Sequence, residues 1–291
     1  INNDDSDLST YGALDLGGQS TQIAFAPDPN TNILADFTAV RLWQKTHRLY
    51  THSFLRYGTN AIAQRIAQIA YEEAMNSTSN ITYNACLNPG ANDTWVVLDS
   101  NGNMTNSTQF GNSHEDLTKC RKWVRTLLAN DTTCYVHDCA FNGVYLAEIP
   151  TNMTFIAFSA FGYATSGLNL SENIDLRELY YTHTLEICSM TLDELRTSKY
   201  RNKYSVGYLS TYCRLNTYIF VLLHDGYGFD IDNTPIIFTN KYNGTSIGWA
   251  QGSILRDSNW LPYDVDYTAT SDDELNTQGK AWRAATITLI T

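Results

Sequence analysis

The order of patterns along the chain predicts an α/β layered domain, and three observations carry it. Residues 12–54 are strand-like, a regular helix follows at Thr59 to Met75, and helical stretches then alternate with short apolar strands to about residue 256. Such an alternation buries a sheet beneath helices. With 291 residues the chain can close a full core, as one large or two ordinary domains.

Residues 1–10 are polar and acidic and read as a linker. The stretch Tyr11 to Pro27 predicts a β-hairpin, with Asp15 between apolar neighbours, a Gly17-Gly18 turn, and Ser20, Thr21 and Gln22 leading into Ile23 to Phe25. Glycine in this turn is expected to supply positive φ and to let backbone N–H groups approach a ligand. An acid facing hydroxyl and amide groups suits a phosphate with its metal and an attacking water. It equally suits an ordinary polar hairpin, and the local pattern does not choose between them.

Ile33 to Trp43 and His47 to Phe54 predict two further strands. In the helix from Thr59 to Met75, Ile62, Ile66, Ile69 and Ala70 recur at helical spacing. Residues 76–113, rich in Asn, Ser, Thr and Gly, predict a glycosylated excursion over the surface. A helix is expected from about Glu115 to Ala129, a buried strand from Thr154 to Phe161 and a helix over 173–189. Thr191 and Glu194 have capping-box spacing for the next helix. Tyr208 to Gly226 alternates apolar faces and stops at Gly226-Tyr227-Gly228, before a short strand at Ile236 to Thr239 and a helix from Ile247 to Arg256.

The net charge of −11 excludes a basic nucleic-acid surface, and it requires an anionic substrate to arrive with its divalent cation. No apolar run approaches a membrane span, the longest being Tyr218 to Leu223. Six cysteines, Cys86, Cys120, Cys134, Cys139, Cys188 and Cys213, fit three disulfides, with fifteen pairings open. No clustered Cys and His at short spacing suggests zinc. Sequons stand at Asn76, Asn80, Asn92, Asn103, Asn106, Asn130, Asn152, Asn169 and Asn243. Sequons and an even cysteine count together indicate the secretory route, to the outside or the cell surface. A start at Ile1 reads as the result of processing or as a position within a longer protein. The end, Ala284 to Thr291, alternates like a strand or like the cut edge of one.

The residues Asp15-Leu16-Gly17-Gly18-Gln19-Ser20-Thr21-Gln22 are very similar to the fourth apyrase conserved region of the ecto-nucleoside triphosphate diphosphohydrolases. Tyr50-Thr51-His52-Ser53-Phe54-Leu55-x-Tyr57-Gly58, Cys86-Leu87-Asn88-Pro89-Gly90, Cys139-Ala140-Phe141-Asn142-Gly143 and Phe158-Ser159-Ala160-Phe161 resemble that family in order. So do Tyr212-Cys213, Gly226-Tyr227-Gly228-Phe229 and, like the fifth conserved region, Gly248-Trp249-Ala250-Gln251-Gly252. The resemblance implies an actin-like (ribonuclease-H-like) lobe with a mixed sheet and flanking helices, spanning 11–262 before a tail at 263–291. It implies Ca2+- or Mg2+-dependent hydrolysis of nucleoside tri- and diphosphates. In that reading Asp15 holds the cation through water, Gly17 and Gly18 offer N–H groups to phosphate, and Ser20 and Gln22 hold the attacking water. Tyr163 matches the aromatic that stacks on the base, Tyr208 stands where several relatives have Arg as the second wall, and Trp249 matches a tryptophan at the cleft floor. The family's disulfides imply Cys86–Cys120, Cys134–Cys139 and Cys188–Cys213. His52 is expected to hydrogen-bond structurally.

The chain also departs from the family. Thr59 replaces a frequent basic residue, Gln19 a small one and Gln251 an apolar one. The family's earlier conserved regions, including the first phosphate loop and the general-base glutamate, have no counterpart in this sequence, so an N-terminal lobe is the expected partner, in the same precursor or as a separate chain. The alternative reading is a glycosylated structural or adhesive protein without hydrolysis, assembled through the strand Thr286 to Thr291.

Overall fold

The computed structural model describes residues 10–258 apart from 43–44, 79–80, 113–116, 129–132, 137, 152 and 203–207. The expected linker up to residue 9 and the tail with its strand at Thr286 to Thr291 lie outside the described residues.

β1 (Gly12–Leu16) and β2 (Ser20–Phe25) make the predicted hairpin, and β3 (Phe37–Leu42) and β4 (Lys45–Leu55) make a second. α1 (Thr59–Met75) matches its predicted span. Then follow β5 (Thr82–Tyr83), β6 (Asn92–Leu98), β7 (Met104–Phe110), α2 (Leu117–Leu127), β8 (Phe155–Ser159) and α3 (Ala160–Ser166). α4 (Leu185–Ser189), α5 (Leu192–Thr197), α6 (Tyr212–Phe220), β9 (Ile236–Phe238), β10 (Lys241–Tyr242), β11 (Thr245–Ser246) and α7 (Trp249–Ser258) complete the order.

The central sheet has six strands in the order β3-β4-β2-β1-β8-β9. β2 runs antiparallel to both β1 and β4, whereas β8 is parallel to β1 and β9 to β8. An antiparallel meander on one side of β1 and parallel strands on the other is the ribonuclease-H-like arrangement that the resemblance implies. Alternation explains its burial: Leu14, Leu16, Ile23, Phe25, Tyr50 and Phe54 share one face and are buried. Ile62, Ile66 and Ala70 of α1 belong to the same core, as does the apolar run Tyr218 to Leu223. All three disulfides form in the pairing implied by the family, Cys86–Cys120, Cys134–Cys139 and Cys188–Cys213.

Two expectations are corrected. Residues 76–113 are not a featureless excursion, because β5, β6 and β7 form a second sheet in the order β5-β7-β6. Its inward positions Ser107 and Gln109 are buried polar residues, so no apolar alternation announces β7. The helix expected over 173–189 contains a π-helical stretch, Glu178–Thr184, before α4. Thr184 Oγ1 donates to the carbonyl of Leu179 five residues back, the spacing of that wider turn (2.7 Å). The capping box at Thr191 and Glu194 forms as expected.

Candidate active site

The face of the central sheet opposite the core carries a polar row. Strand register places Asp15 beside Gln22, Gln22 beside Ser53, and Phe158 on the far side of Asp15. The period of two puts Ser20 and Gln22 on this face and turns Thr21 inward, where its hydroxyl donates to the Asp15 carbonyl (2.9 Å). Gln22 Nε2 donates to Ser20 Oγ (2.7 Å) and to Ser53 Oγ (2.8 Å). Asp15 Oδ1 is buried and takes no hydrogen bond among the described residues. A carboxylate oxygen in that position calls for a cation or a donor beyond the described residues.

The turn is built differently from expectation. Neither Gly17 nor Gly18 adopts positive φ. The Gly17 N–H closes the turn onto Ser20 O (3.0 Å), so only the N–H of Gly18 is left for an incoming acceptor. The carbonyls of the two glycines accept from the start of α1, Thr59 N to Gly17 O (2.9 Å) and Asn60 N to Gly18 O (2.9 Å). Helix donors that would otherwise lack partners therefore lock α1 to the hairpin. Gly58 is the glycine this contact demands, since a Cβ there would sit 2.4 Å from the backbone of Gly18 and Gln19.

From Thr59 and Asn60 a cleft of about 860 Å³ runs to Tyr163 and Tyr208. The two tyrosines, matched only through the family pattern, thus meet in one cavity, and both are well exposed (60% and 65%). Tyr163 rides on α3, whose start is held by Asn240. Asn240 Oδ1 accepts from Ser159 N–H (2.6 Å) and its Nδ2 donates to Ser159 O (3.1 Å), with Ser159 in the left-handed region at φ 59°. Gly162 makes room for that amide, because a Cβ would come within 2.6 Å of Asn240 Nδ2. Arg214 also lines the cleft, with its guanidinium 5.4 Å from the Trp95 ring and 4.0 Å from Asp93. Burial pulls its pKa below the usual arginine value, against the opposite pull of Asp93. Asn240 and Arg214 had no sequence signal of function. Ser53 lay within the family-like run Tyr50 to Leu55, where the buried even-numbered Tyr50 and Phe54 turn it to the opposite face, but nothing gave it a role.

Trp249 stands apart from Tyr163 and Tyr208. It opens α7, is 76% exposed, and lines a separate cavity of about 470 Å³ with Ala13, Ala24 and Phe158. It therefore shares the open sheet face with Asp15 but not the aromatic cleft. His52 pairs with Asp36 (2.9 Å), and register puts it beside Ile23, on the face away from the polar row. The described sequon residues Asn76, Asn92, Asn103, Asn106, Asn169 and Asn243 are all exposed, while Asn80, Asn130 and Asn152 lie outside the described residues.

Among the described residues no group of three or more His, Cys, Asp or Glu could hold a metal ion. A single carboxylate completed by water and phosphate oxygens is nevertheless a sufficient seat for a hard cation, and the unpartnered Asp15 Oδ1 fits that role. No helix among the described residues is long and apolar enough to cross a membrane.

Comparison with known proteins gives a consistent result. The family model for GDA1/CD39 (nucleoside phosphatase) matches residues 1–271. The chain is 34% identical to bovine ectonucleoside triphosphate diphosphohydrolase 1 over 281 residues, covering 89% of the chain and 52% of that protein. It is 31% identical to human ectonucleoside triphosphate diphosphohydrolase 2, covering 88% of the chain and 52% of that protein. The chain therefore spans about half the length of the relatives it matches. A nucleoside triphosphate hydrolase structure from Neospora caninum aligns at a TM-score of 0.49 and 14% identity, over 84% of this chain and 56% of that one.

Proposed function

The chain belongs to the GDA1/CD39 (nucleoside phosphatase) family, and on that premise we propose that it is one lobe, over 11–262, of an extracellular enzyme that hydrolyses nucleoside tri- and diphosphates. The observation that carries the reading is the unpartnered Asp15 Oδ1 beside the hydrogen-bonded pair Ser20 and Gln22. Ser20 Oγ accepts from Gln22 and so keeps its own proton to give, while the amide oxygen of Gln22 remains an acceptor. Together they hold a water in line with a phosphorus atom. Gly18 offers its N–H to the phosphate chain, and Tyr163 and Tyr208 receive the base between their rings. Asp15 holds Ca2+ or Mg2+ through water, and the cation, when bound, neutralises phosphoryl charge.

Neither Ser20 nor Gln22 takes up a proton at neutral pH, and Asp15 is committed to the cation. We assign the proton acceptor to a second lobe, as the family resemblance implies, and the chain spans about half the length of the relatives it matches. Three disulfides and exposed sequons support a secreted or cell-surface setting.

The test is phosphate release from ATP and ADP by the full-length protein with both lobes, in Ca2+ or Mg2+ and then in excess EDTA. The expected result is turnover that EDTA abolishes and that Ser20→Ala and Asp15→Ala each remove without unfolding the protein. Near-normal rates in both variants would overturn the water-holding role of Ser20 and the cation-holding role of Asp15.

A further inference from the structure

We propose that Ser53 is a positioning residue, which sets the orientation of the Gln22 side chain and through it the line of attack of the water. The inference rests on the function proposed above for Gln22. The amide nitrogen of Gln22 carries two N–H groups and the structure engages both, one with Ser20 Oγ (2.7 Å) and one with Ser53 Oγ (2.8 Å). Two anchors at fixed positions determine which way the amide plane lies. With the nitrogen held by the two hydroxyls, Oε1 takes no hydrogen bond among the described residues and is left to act as an acceptor. With one anchor removed, the terminal torsion of Gln22 is broad and roughly two-fold, and the amide can turn over.

The second anchor is supplied by a rigid neighbour. Ser53 lies directly across from Gln22 in the antiparallel β2–β4 ladder, 31 residues further along the chain. Cross-strand partners at this spacing touch through short side chains. On the opposite flank of Gln22, register places Asp15, so Ser53, Gln22 and Asp15 form one line across three strands. Ser20 alone engages one of the two N–H groups and leaves the other without an anchor.

Ser53 is exposed, so its hydroxyl fills no cavity and removing it leaves no buried orphan group. A purely structural tie at such a site would affect neither turnover nor stability. A positioning tie would affect turnover alone, and that difference makes the inference testable.

The experiment uses the full-length protein with both lobes and compares wild type, Ser53→Ala, Ser53→Thr, Gln22→Ala and the Ser53→Ala/Gln22→Ala double variant. Steady-state phosphate release and thermal melting are measured for each. Ser53→Ala is expected to lower kcat about three- to tenfold, the loss of one neutral hydrogen bond, with KM and melting temperature unchanged. Ser53→Thr, which keeps the hydroxyl, is expected to restore kcat. In the Gln22→Ala background, Ser53→Ala is expected to add no further loss, since the amide it positions is gone. A Ser53→Ala protein with wild-type kcat, beside a slow Gln22→Ala protein, overturns this inference and leaves the proposed function standing. A wild-type rate for Gln22→Ala overturns the water-holding role and this inference with it. Additive losses in the double variant also overturn it, because Ser53 would then act on something other than Gln22.

Discussion

The two larger sheets, the six-stranded and the three-stranded, are held together by different chemistry. The central sheet buries one face in apolar contact, with Leu14, Leu16, Ile23, Phe25 and Tyr50 essentially excluded from water. That leaves its opposite face free to carry Asp15, Gln22 and Ser53. The three-stranded sheet turns Ser107 and Gln109 inward and joins the protein through polar contacts. Gln109 Nε2 donates to Ala67 O in α1 (2.7 Å), and Asn84 Nδ2 donates to Gln109 Oε1 (2.8 Å). Gln64 and Gln68, one helical turn apart on α1, bind the backbone of the edge strand β6 at Val96 and Leu98. Side-chain amides there take the place of a further strand and cover the edge. The Cys86–Cys120 disulfide ties the connection between β5 and β6 to α2. Apolar packing thus supports the chemistry, and hydrogen bonds with a covalent link support the accessory sheet.

This division predicts that damage to the small sheet lowers stability and spares turnover per folded molecule, while damage to the open face of the large sheet does the reverse. The largest effect is expected from breaking Cys86–Cys120 as a pair of serines. The 34-residue separation makes the loss about 4 kcal/mol in chain-entropy terms, read by denaturant unfolding. Asp15→Asn is expected to lower phosphate release by the two-lobe protein about a hundredfold with an unchanged melting curve. A large stability loss there would blur the contrast between the sheets. Gln109→Leu strands the buried Asn84 amide nitrogen and removes a second bond to the helical Ala67 carbonyl, and is expected to destabilise by about 2 kcal/mol, with kcat preserved. Tyr163→Ala removes one stacking wall of the cleft, worth about 1–3 kcal/mol per base, and is expected to raise KM for ATP and ADP roughly tenfold or more while the fold persists. The smallest effect belongs to Asn106→Gln on the outer face of the small sheet. It is expected to remove one glycan, seen as a mass shift, and to change stability by less than about 0.5 kcal/mol. Loss of kcat from that substitution would break the division of roles.

The large sheet was legible in the sequence because its side chains alternate cleanly and its helix α1 keeps a regular apolar stripe. The small sheet was not, because β7 reads Met-Thr-Asn-Ser-Thr-Gln-Phe, polar on both faces, and no local pattern reveals that Gln109 will be buried. Within the site, Asp15, Ser20 and Gln22 were legible as a close-set group whose spacing matches a known motif. The positive φ expected of the glycines beside them does not occur, and the tightest backbone approach falls on Gly58, 40 residues after Gly18.

What the sequence determined by itself is what neighbouring residues decide together. The hairpin, the span of α1 and the capping box at Thr191 depend on contacts within a few residues of one another, and the cysteine count and the family motif are read from the residues directly. Tertiary structure alone decided what meets across long separations. It brought Ser53 to Gln22 across 31 residues and Asn240 to Ser159 across 81, and it set Tyr163 and Tyr208 in one cleft while Trp249 went to another. Strand register and helix packing settle such meetings, and both are properties of the closed core rather than of any local stretch.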